Sequence, residues 1–407
     1  MKILYITQYY PPEIGAGAFR AGAIVKGLAK LNHKLTVITE IPNYPLGKVY
    51  NNYKGFLWQC ERIDNISIHR VWVKISQRMN FLKRMVLYGS YVVNAILRGI
   101  NLKSKFDVLY MTSPPLFVGI VGYFLSKYYR IPIIFEVRDL WPEIAIEMGQ
   151  IKGRIAKKMS QWLEIFLYRK SSIIIAVTNG FKKKIIEKGI NRSKIRVVLN
   201  FSKCKKGSID NIRPNNKIRN IYKSKFVVIY AGLFGMFQGV DVILRAADQL
   251  RNQSNIVFLL IGSGVEETNL KEMAKKKGLT NVYWLLPQPD TVVHGLIADA
   301  GCSVIPLKDL PGLKMTIPSK LFDYMGYGSP IILSASGEVN EILERAKAGI
   351  AVKPENATLL AEAIMRLYKN EKLRIKLRNN GKKAVLKYYS SNRAITSIHY
   401  LIRSIGN

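Results

Sequence analysis

Short runs of apolar and β-branched residues alternate with longer stretches of helical period from one end of the chain to the other. Strands are predicted at 2–7 (KILYIT), 35–40, 66–71, 108–112, 132–137, 173–177 and 195–199. Most of these runs are apolar throughout rather than alternating, the pattern of strands covered on both faces. Helical patterns at 18–31 and 157–170 lie between them, so the first half reads as a doubly wound parallel sheet. Residues 203–225 break the rhythm. They are polar and basic, hold Gly207 and Pro214, and read as a linker. The alternation then restarts, with strands predicted at 226–232, 256–264, 282–286, 302–307, 330–335 and 349–353 and helices at 240–250 and 319–328. The expected fold class is therefore α/β, two tandem Rossmann-like domains at 1–202 and 226–389. A basic helical stretch at 359–388 ends the second domain, and a last helix, 390–407, is expected to pack back on the first. Two such sheets facing each other would offer a ligand cleft at the carboxyl ends of their strands.

Composition narrows the class. The chain has 407 residues, too many for one ordinary core, and with 48% hydrophobic and 22% charged residues it is not a disordered one. Cys60, Cys204 and Cys302 are scattered, which is no disulfide framework and suits a reducing compartment. The four histidines, His33, His69, His294 and His399, lack metal-ligand spacing, so no metal and no cofactor is expected. Against 63 basic residues stand only 27 acidic ones, a formal charge of +36. Such a field favours nucleic acid, an anionic membrane or phosphorylated ligands without choosing among them. Pro11, Pro12 and Glu13 interrupt any signal sequence, and the apolar run 85–97 is too short to span a bilayer. The protein is expected to stay on the side of the membrane where it is made.

Four segments carry candidate chemistry. Gly15 and Gly17 precede the first helix, where bare backbone and helix N–H groups can approach a phosphate; a tight strand–helix turn explains them equally well. FEVRDLWPE (135–143) sets Arg138, Asp139 and Glu143 beside Trp141 at a strand end, the position that the switch-point rule favours over a plain surface ion pair. PSKLFDYMGYG (318–328) puts Ser319 and Lys320 at a helix start, a cationic niche for a diphosphate, with Asp323 one turn on. That aspartate either complements the helix dipole or grips ribose hydroxyls. Gly232, Gly235, Gly262 and Gly264 would line the same crevice. Finally, nine basic residues but only Asp64 among the acids occupy 62–105, around the apolar helix 81–100. Lys83, Arg84 and Arg98 at its ends suit an anionic membrane interface; a buried helix with solvated flanks is the alternative.

Seven segments in order, YYPPEIGAGAFR (9–20), TSPPLFVG (112–119), FEVRDLWPE (135–143), VTNGF (177–181), YAGLFGMFQGVD (230–241), PSKLFDYMGYGSPII (318–332) and GEVNEILERAKAGIAVKPE (337–355), carry a resemblance. The chain resembles retaining glycosyltransferases of family 4 with the GT-B fold, nearest the surface-polysaccharide branch that includes N-acetyl-fucosaminyl transferases. The resemblance implies a UDP-sugar, an N-acetylated amino sugar by that branch, held mainly by the second half. The acceptor would sit on the first half, a lipid-diphosphate-linked saccharide of O-antigen, capsule or exopolysaccharide synthesis at the inner membrane face. By carry-over, Gly15, Gly17, Gly235 and Ser319 face the donor, Lys320 lies near the diphosphate, and Asp323 meets the ribose. Arg138 and Asp139 stand near the reacting sugar, and Glu143 is placed on the acceptor or sugar side. The chain also departs from the pattern: Leu233 and Gln238 occupy places where relatives often carry an arginine and a lysine, and Met315 stands eight residues before Asp323, where a glutamate is usual. A nucleotide-sugar epimerase of the same fold remains a second reading. A nonspecific nucleic-acid binder would account for the charge, but basic patches interleaved with aromatics are missing, so no nucleic-acid partner is expected.

Overall fold

In the computed structural model each strand expected from an apolar run is present, its ends shifted by at most three residues. The structure describes residues 1–44, 47–76, 81–147, 149, 151, 153–204, 218, 220 and 222–405. The chain divides into one unit of residues 1–199 with 391–407, and a second of residues 200–390.

In the first unit eight strands run in the order β3-β4-β2-β1-β5-β6-β7-β8. They are β1 (Lys2–Ile6), β2 (Lys34–Glu40), β3 (Trp58–Ile63), β4 (Ile66–Val71), β5 (Val108–Ser113), β6 (Ile133–Val137), β7 (Ile173–Ala176) and β8 (Ile195–Val197). All pair in parallel except β3, which runs antiparallel to β4 at the edge. The periodicity did not predict β3: its sequence WQCERI is polar and largely exposed, with only one neighbour to satisfy. Leu4, Tyr5, Val108, Leu109, Tyr110, Ile134 and Phe135 are fully buried, which is why the central strands read as unbroken apolar runs. The chain leaves β1 for β2 on one side and later returns to β5 on the other, so the strand order reverses at β1. That reversal puts the loop after β1 at a switch point.

Helices α1 (Ala16–Lys30), α2 (Phe81–Ile100), α3 (Val118–Tyr129), α4 (Glu143–Glu147), α5 (Arg154–Lys170) and α6 (Asn179–Glu187) connect these strands. Helix α2 is half buried: Leu87, Tyr91 and Ala95 face the core, while Leu82, Val86, Val93 and Leu97 are exposed.

The second unit is a parallel sheet in the order β11-β10-β9-β12-β13-β14, with β9 (Phe226–Ala231), β10 (Ile256–Ile261), β11 (Val282–Leu285), β12 (Cys302–Pro306), β13 (Ile331–Ser334) and β14 (Gly349–Val352). Its helices are α7 (Asp241–Gln249), α8 (Glu267–Lys276), α9 (Asp290–Asp299), α10 (Ser319–Gly326), α11 (Glu338–Ala346), α12 (Ala357–Lys369) and α13 (Glu371–Tyr388). The stretch 359–388, expected as one helix, is two. Asn370 separates α12 from α13 and its side chain caps the second by accepting from the Leu373 N–H at 2.9 Å. The stretch read as a linker, 203–225, lies mostly outside the described residues. Of its described part, Cys204 is buried in the second unit with its thiol 3.4 Å from the Gly326 carbonyl.

The last helix, α14 (Ser391–Arg403), belongs to the first unit and packs on α1. A Cβ on Gly27 of α1 would collide with Ile395, so the glycine lets the two helices close up. Ile398 and Ile402 are wholly buried, and His399 meets His33 with 2.8 Å between ring nitrogens.

Candidate active site

In the first unit the carboxyl ends of β1, β5 and β6 carry a buried ion pair that sequence reasoning missed. Arg20 of α1 donates to Glu136 of β6 at 2.8 and 3.1 Å, and its remaining donors reach the carbonyls of Val198 and Leu199. Tyr110 and Thr112 of β5 donate to the same carboxylate at 2.8 and 3.0 Å. Burial pushes the Glu136 carboxyl up, but Arg20, with Arg138 and the Tyr110 hydrogen bond, together hold it below the usual carboxylate range. Removing one partner would leave the other buried and uncompensated, a loss of about 3–5 kcal/mol. A charged pair inside a parallel sheet therefore fixes the entry of α1, and with it the loop that holds the glycines.

Gly17 stands at that loop's end. A Cβ on Gly17 would lie 2.7 Å from one Arg138 guanidinium nitrogen and 3.0 Å from the other. Gly17 and Arg138, singled out from separate segments, thus meet, and the guanidinium lies against the start of α1. Gly15 is close instead to the Tyr44 ring, 3.4 Å from its would-be Cβ. Asp139 is half buried next to Arg138. Burial pushes its carboxyl up to about 6, and the arginine holds it back from going further.

Glu143 is not a free hand for a sugar. Lys188 pairs with it and also donates to buried Glu164 at 2.5 and 2.6 Å, so Glu143 helps pin α4 to α5. Arg98 likewise turns inward: it lies against His69 at 2.9–3.2 Å and over the Trp58 ring at 5.6 Å. Lys83 is exposed on the first turn of α2 and Arg84 is half buried beside it.

The second unit's candidate site is at the end of β9. Gly232 has φ +153°, outside the range of ordinary L-residues, and a Cβ there would be 2.8 Å from the Lys320 ammonium. Gly262, after β10, would drive a Cβ into the Gly232 carbonyl. Bare backbone at two neighbouring strand ends leaves room for the lysine. Lys320 enters from the first turn of α10, with Ser319 half buried before it. Its ammonium lies 4.0 Å from the centre of the Tyr230 ring and 3.4 Å from Gln238 Oε1. Among the described residues no carboxylate pairs with it, and burial lowers its pKa to about 7. Tyr230 is held by its own hydroxyl, which donates to the Leu233 carbonyl at 2.6 Å. Gly235 is open, its nearest neighbour being the Gln238 side chain. The result is a desolvated cation facing glycine backbone, an arrangement that gains by meeting an anion.

Asp323 is not beside Lys320's ammonium. Its carboxylate accepts from the backbone N–H of Lys203 at 2.7 Å and lies 3.4 Å from the Ser202 hydroxyl. Burial raises its pKa to about 6 against the lowering effect of Lys203. Nearby, His294 of α9 stacks on Tyr327 at 4.0 Å and Lys203 pairs with Asp290 at 2.9 Å. Neither Tyr230 nor the α9 group gave a sequence signal. Gln238 did, as the place of a missing lysine, yet only the fold shows which cation reaches it. Among the described residues no group of three or more His, Cys, Asp or Glu side chains could hold a metal ion.

Residues 15–200 match the glycosyl transferase 4-like domain, and residues 211–384 match glycosyl transferases group 1. WcaI of Escherichia coli (strain K12), assigned to colanic acid biosynthesis as a glycosyl transferase, is 24% identical over 380 residues, 89% of this chain and 91% of its own length. Among solved structures, sucrose-phosphate synthase from Thermosynechococcus elongatus superposes with a TM-score of 0.76 at 16% identity, covering 99% of this chain and 98% of that one. HepE of Anabaena, crystallised with UDP and glucose, does so with a TM-score of 0.73 at 16% identity over 99% of this chain and 100% of its own.

Proposed function

Because this chain belongs to the family-4-like glycosyltransferases of the GT-B fold, we propose that its donor is a UDP-sugar, transferred with retention of configuration. The acceptor in this reading is a lipid-diphosphate-linked saccharide of O-antigen, capsule or exopolysaccharide synthesis, at the inner face of the cell membrane. The sugar carried is an N-acetylated amino sugar. The likeness to a colanic acid enzyme supports a role in polysaccharide or glycoconjugate synthesis, and the UDP bound by HepE supports the choice of nucleotide. No helix among the described residues is long and apolar enough to cross a membrane, so contact with the lipid-linked acceptor is peripheral, through α2 and its basic start.

One observation carries the reading: the Lys320 ammonium is desolvated, has no carboxylate partner among the described residues, and faces Gly232 at a strand end. Negative charge builds on the diphosphate as the glycosidic bond breaks. A preorganised cation at that point is worth more in the transition state than in the ground state. The acceptor hydroxyl attacks the face that the diphosphate leaves. Arg138 adds positive charge near the reacting sugar, and Asp139 lies beside it as an acid–base group. Ser319 and Gly235 supply donor contacts, and Asp323 grips the ribose once it lets go of the Lys203 N–H. Neutralisation by Lys320 and backbone N–H groups needs no metal.

A panel of sugar nucleotides, screened first for thermal stabilisation and then for transfer to lipid-linked acceptors, tests the proposal. Stabilisation by UDP-sugars and label transfer to the lipid support it. Turnover of a UDP-sugar into an isomer with no acceptor present would make the enzyme an epimerase.

A further inference from the structure

The first unit carries a second exposed apolar line, on α5. Ile155, Met159 and Trp162 are 76%, 66% and 64% exposed, and Phe166 follows with its ring stacked on Trp162 at 5.3 Å. At intervals of four, three and four residues they share one face of the helix. That face lies opposite Glu164 and Tyr168, both buried, so α5 turns its aromatic and aliphatic line to solvent and a paired carboxylate to the interior. At 100° per residue, Lys158 and Arg169 fall on one flank of the line and Lys170 on the other.

Helix α3 packs between α5 and α2. Tyr123 of α3 meets Phe166 at 4.8 Å between ring centres, and Tyr129 donates to the Gly99 carbonyl of α2 at 2.6 Å. The exposed line of α2 thus belongs to the same helical layer. Across α2, α3 and α5 there are nine basic residues and one acid, Glu164, which is buried and bound to Lys188. Exposed apolar lines bordered by bases, with no acid at the surface of these helices, match an anionic bilayer in both polarity and charge.

We propose that α5 lies in the headgroup region of an anionic membrane with its Ile155–Phe166 line inserted, making the α2–α3–α5 layer, rather than α2 alone, the membrane-facing surface. This deepens the reading of a peripheral enzyme acting on a lipid-linked acceptor, and rests on it for purpose but not for evidence. The line spans about 16 Å, fitting a helix lying along the interface rather than crossing it.

The test is flotation of the full chain with phosphatidylcholine vesicles, with and without phosphatidylglycerol. The wild type is compared with Ile155→Ser/Met159→Ser/Trp162→Ser and with Trp162→Phe. Thermal melts check folding, which three exposed positions should leave intact. Binding to anionic vesicles should weaken roughly tenfold or more in the triple variant and stay near wild type in Trp162→Phe. Brominated lipids should quench a fluorescence component that Trp162→Phe lacks. Unchanged binding of the triple variant, no wild-type binding, or no quenching of Trp162 would overturn the proposal. So would light scattering showing that the triple variant turns a wild-type dimer into a monomer without altering vesicle binding, because a second copy would then cover the line. Transfer to a short-chain soluble acceptor, measured in parallel, should not change. If the wild type makes no such transfer, the acceptor reading fails while the vesicle result stands.

Discussion

Lys320 and Gln238 meet at 3.4 Å although they are separated by much of the second unit's sequence. The family resemblance leads one to expect a cation in the loop after β9, and here α10 brings one to Gln238 of that loop. Lys320→Ala should lower kcat by about 10²–10³, the scale for losing one preorganised charge-stabilising donor, with a smaller loss of donor affinity. Adding Gln238→Lys to that variant should recover much of kcat, and steady-state kinetics of the single and double variants decide it. If Lys320→Ala turns over normally, the lysine is only part of its helix start. A second expectation follows from its pKa near 7, lowered by burial. A bound diphosphate favours the charged form, so UDP binding above pH 7 should take up a proton, and below pH 6 almost none. Calorimetry in buffers of different ionisation enthalpy measures this, with UDP affinity weakening as pH rises past 7. Residue types at strand ends and helix starts were legible in the sequence. Partners were not. Asp323 pairs with a backbone group 120 residues away, and Glu143 with Lys188, and no local spacing signals either.

Elements were the most legible level, because strands covered on both faces must be apolar at every position. The edge strand β3 escaped because it is under no such constraint, and the break at Asn370 escaped because its cap is a single side chain in an otherwise continuous helical pattern. How α14 is held could not be read from its own sequence, since it depends on Gly27 and His33 of another segment. Burial lowers the His33 pKa to about 4, helped by the N-terminal amine and His399. The unfolded chain therefore binds more protons than the folded one between about pH 6.5 and 4. The share of the first unit's stability that His33 contributes should be full above pH 6.5 and fall as pH drops through that window. His33→Gln should remove that share and make the dependence shallower in thermal melts taken across the range, leaving the part due to His69, whose pKa burial also lowers to about 4.

At the scale of the molecule, the charge of +36 was the loudest sequence signal and the least specific. The structure makes part of it specific, in that α2, α3 and α5 hold bases around exposed apolar lines while Lys320 stands apart among glycines. If cationic side chains and backbone neutralise the leaving diphosphate, transfer should continue in excess EDTA. Loss of activity on chelation, restored by Mg²⁺ or Mn²⁺, would require a different account of the leaving group.

The grouping of Ser391–Arg403 with residues 1–199 also sets an order of events during synthesis. The second unit is complete in sequence at residue 390, whereas the first must wait, its α1 surface uncovered, until the α14 segment has been made. A released chain truncated at residue 390 should therefore present a native-like second unit and a protease-sensitive first one. Supplying residues 391–405 as a separate peptide should restore protection, because the contacts it makes with Gly27 and His33 are not covalent. The two units would then fold unequally in a chain that ends at residue 390, one whole and the other short of a single helix.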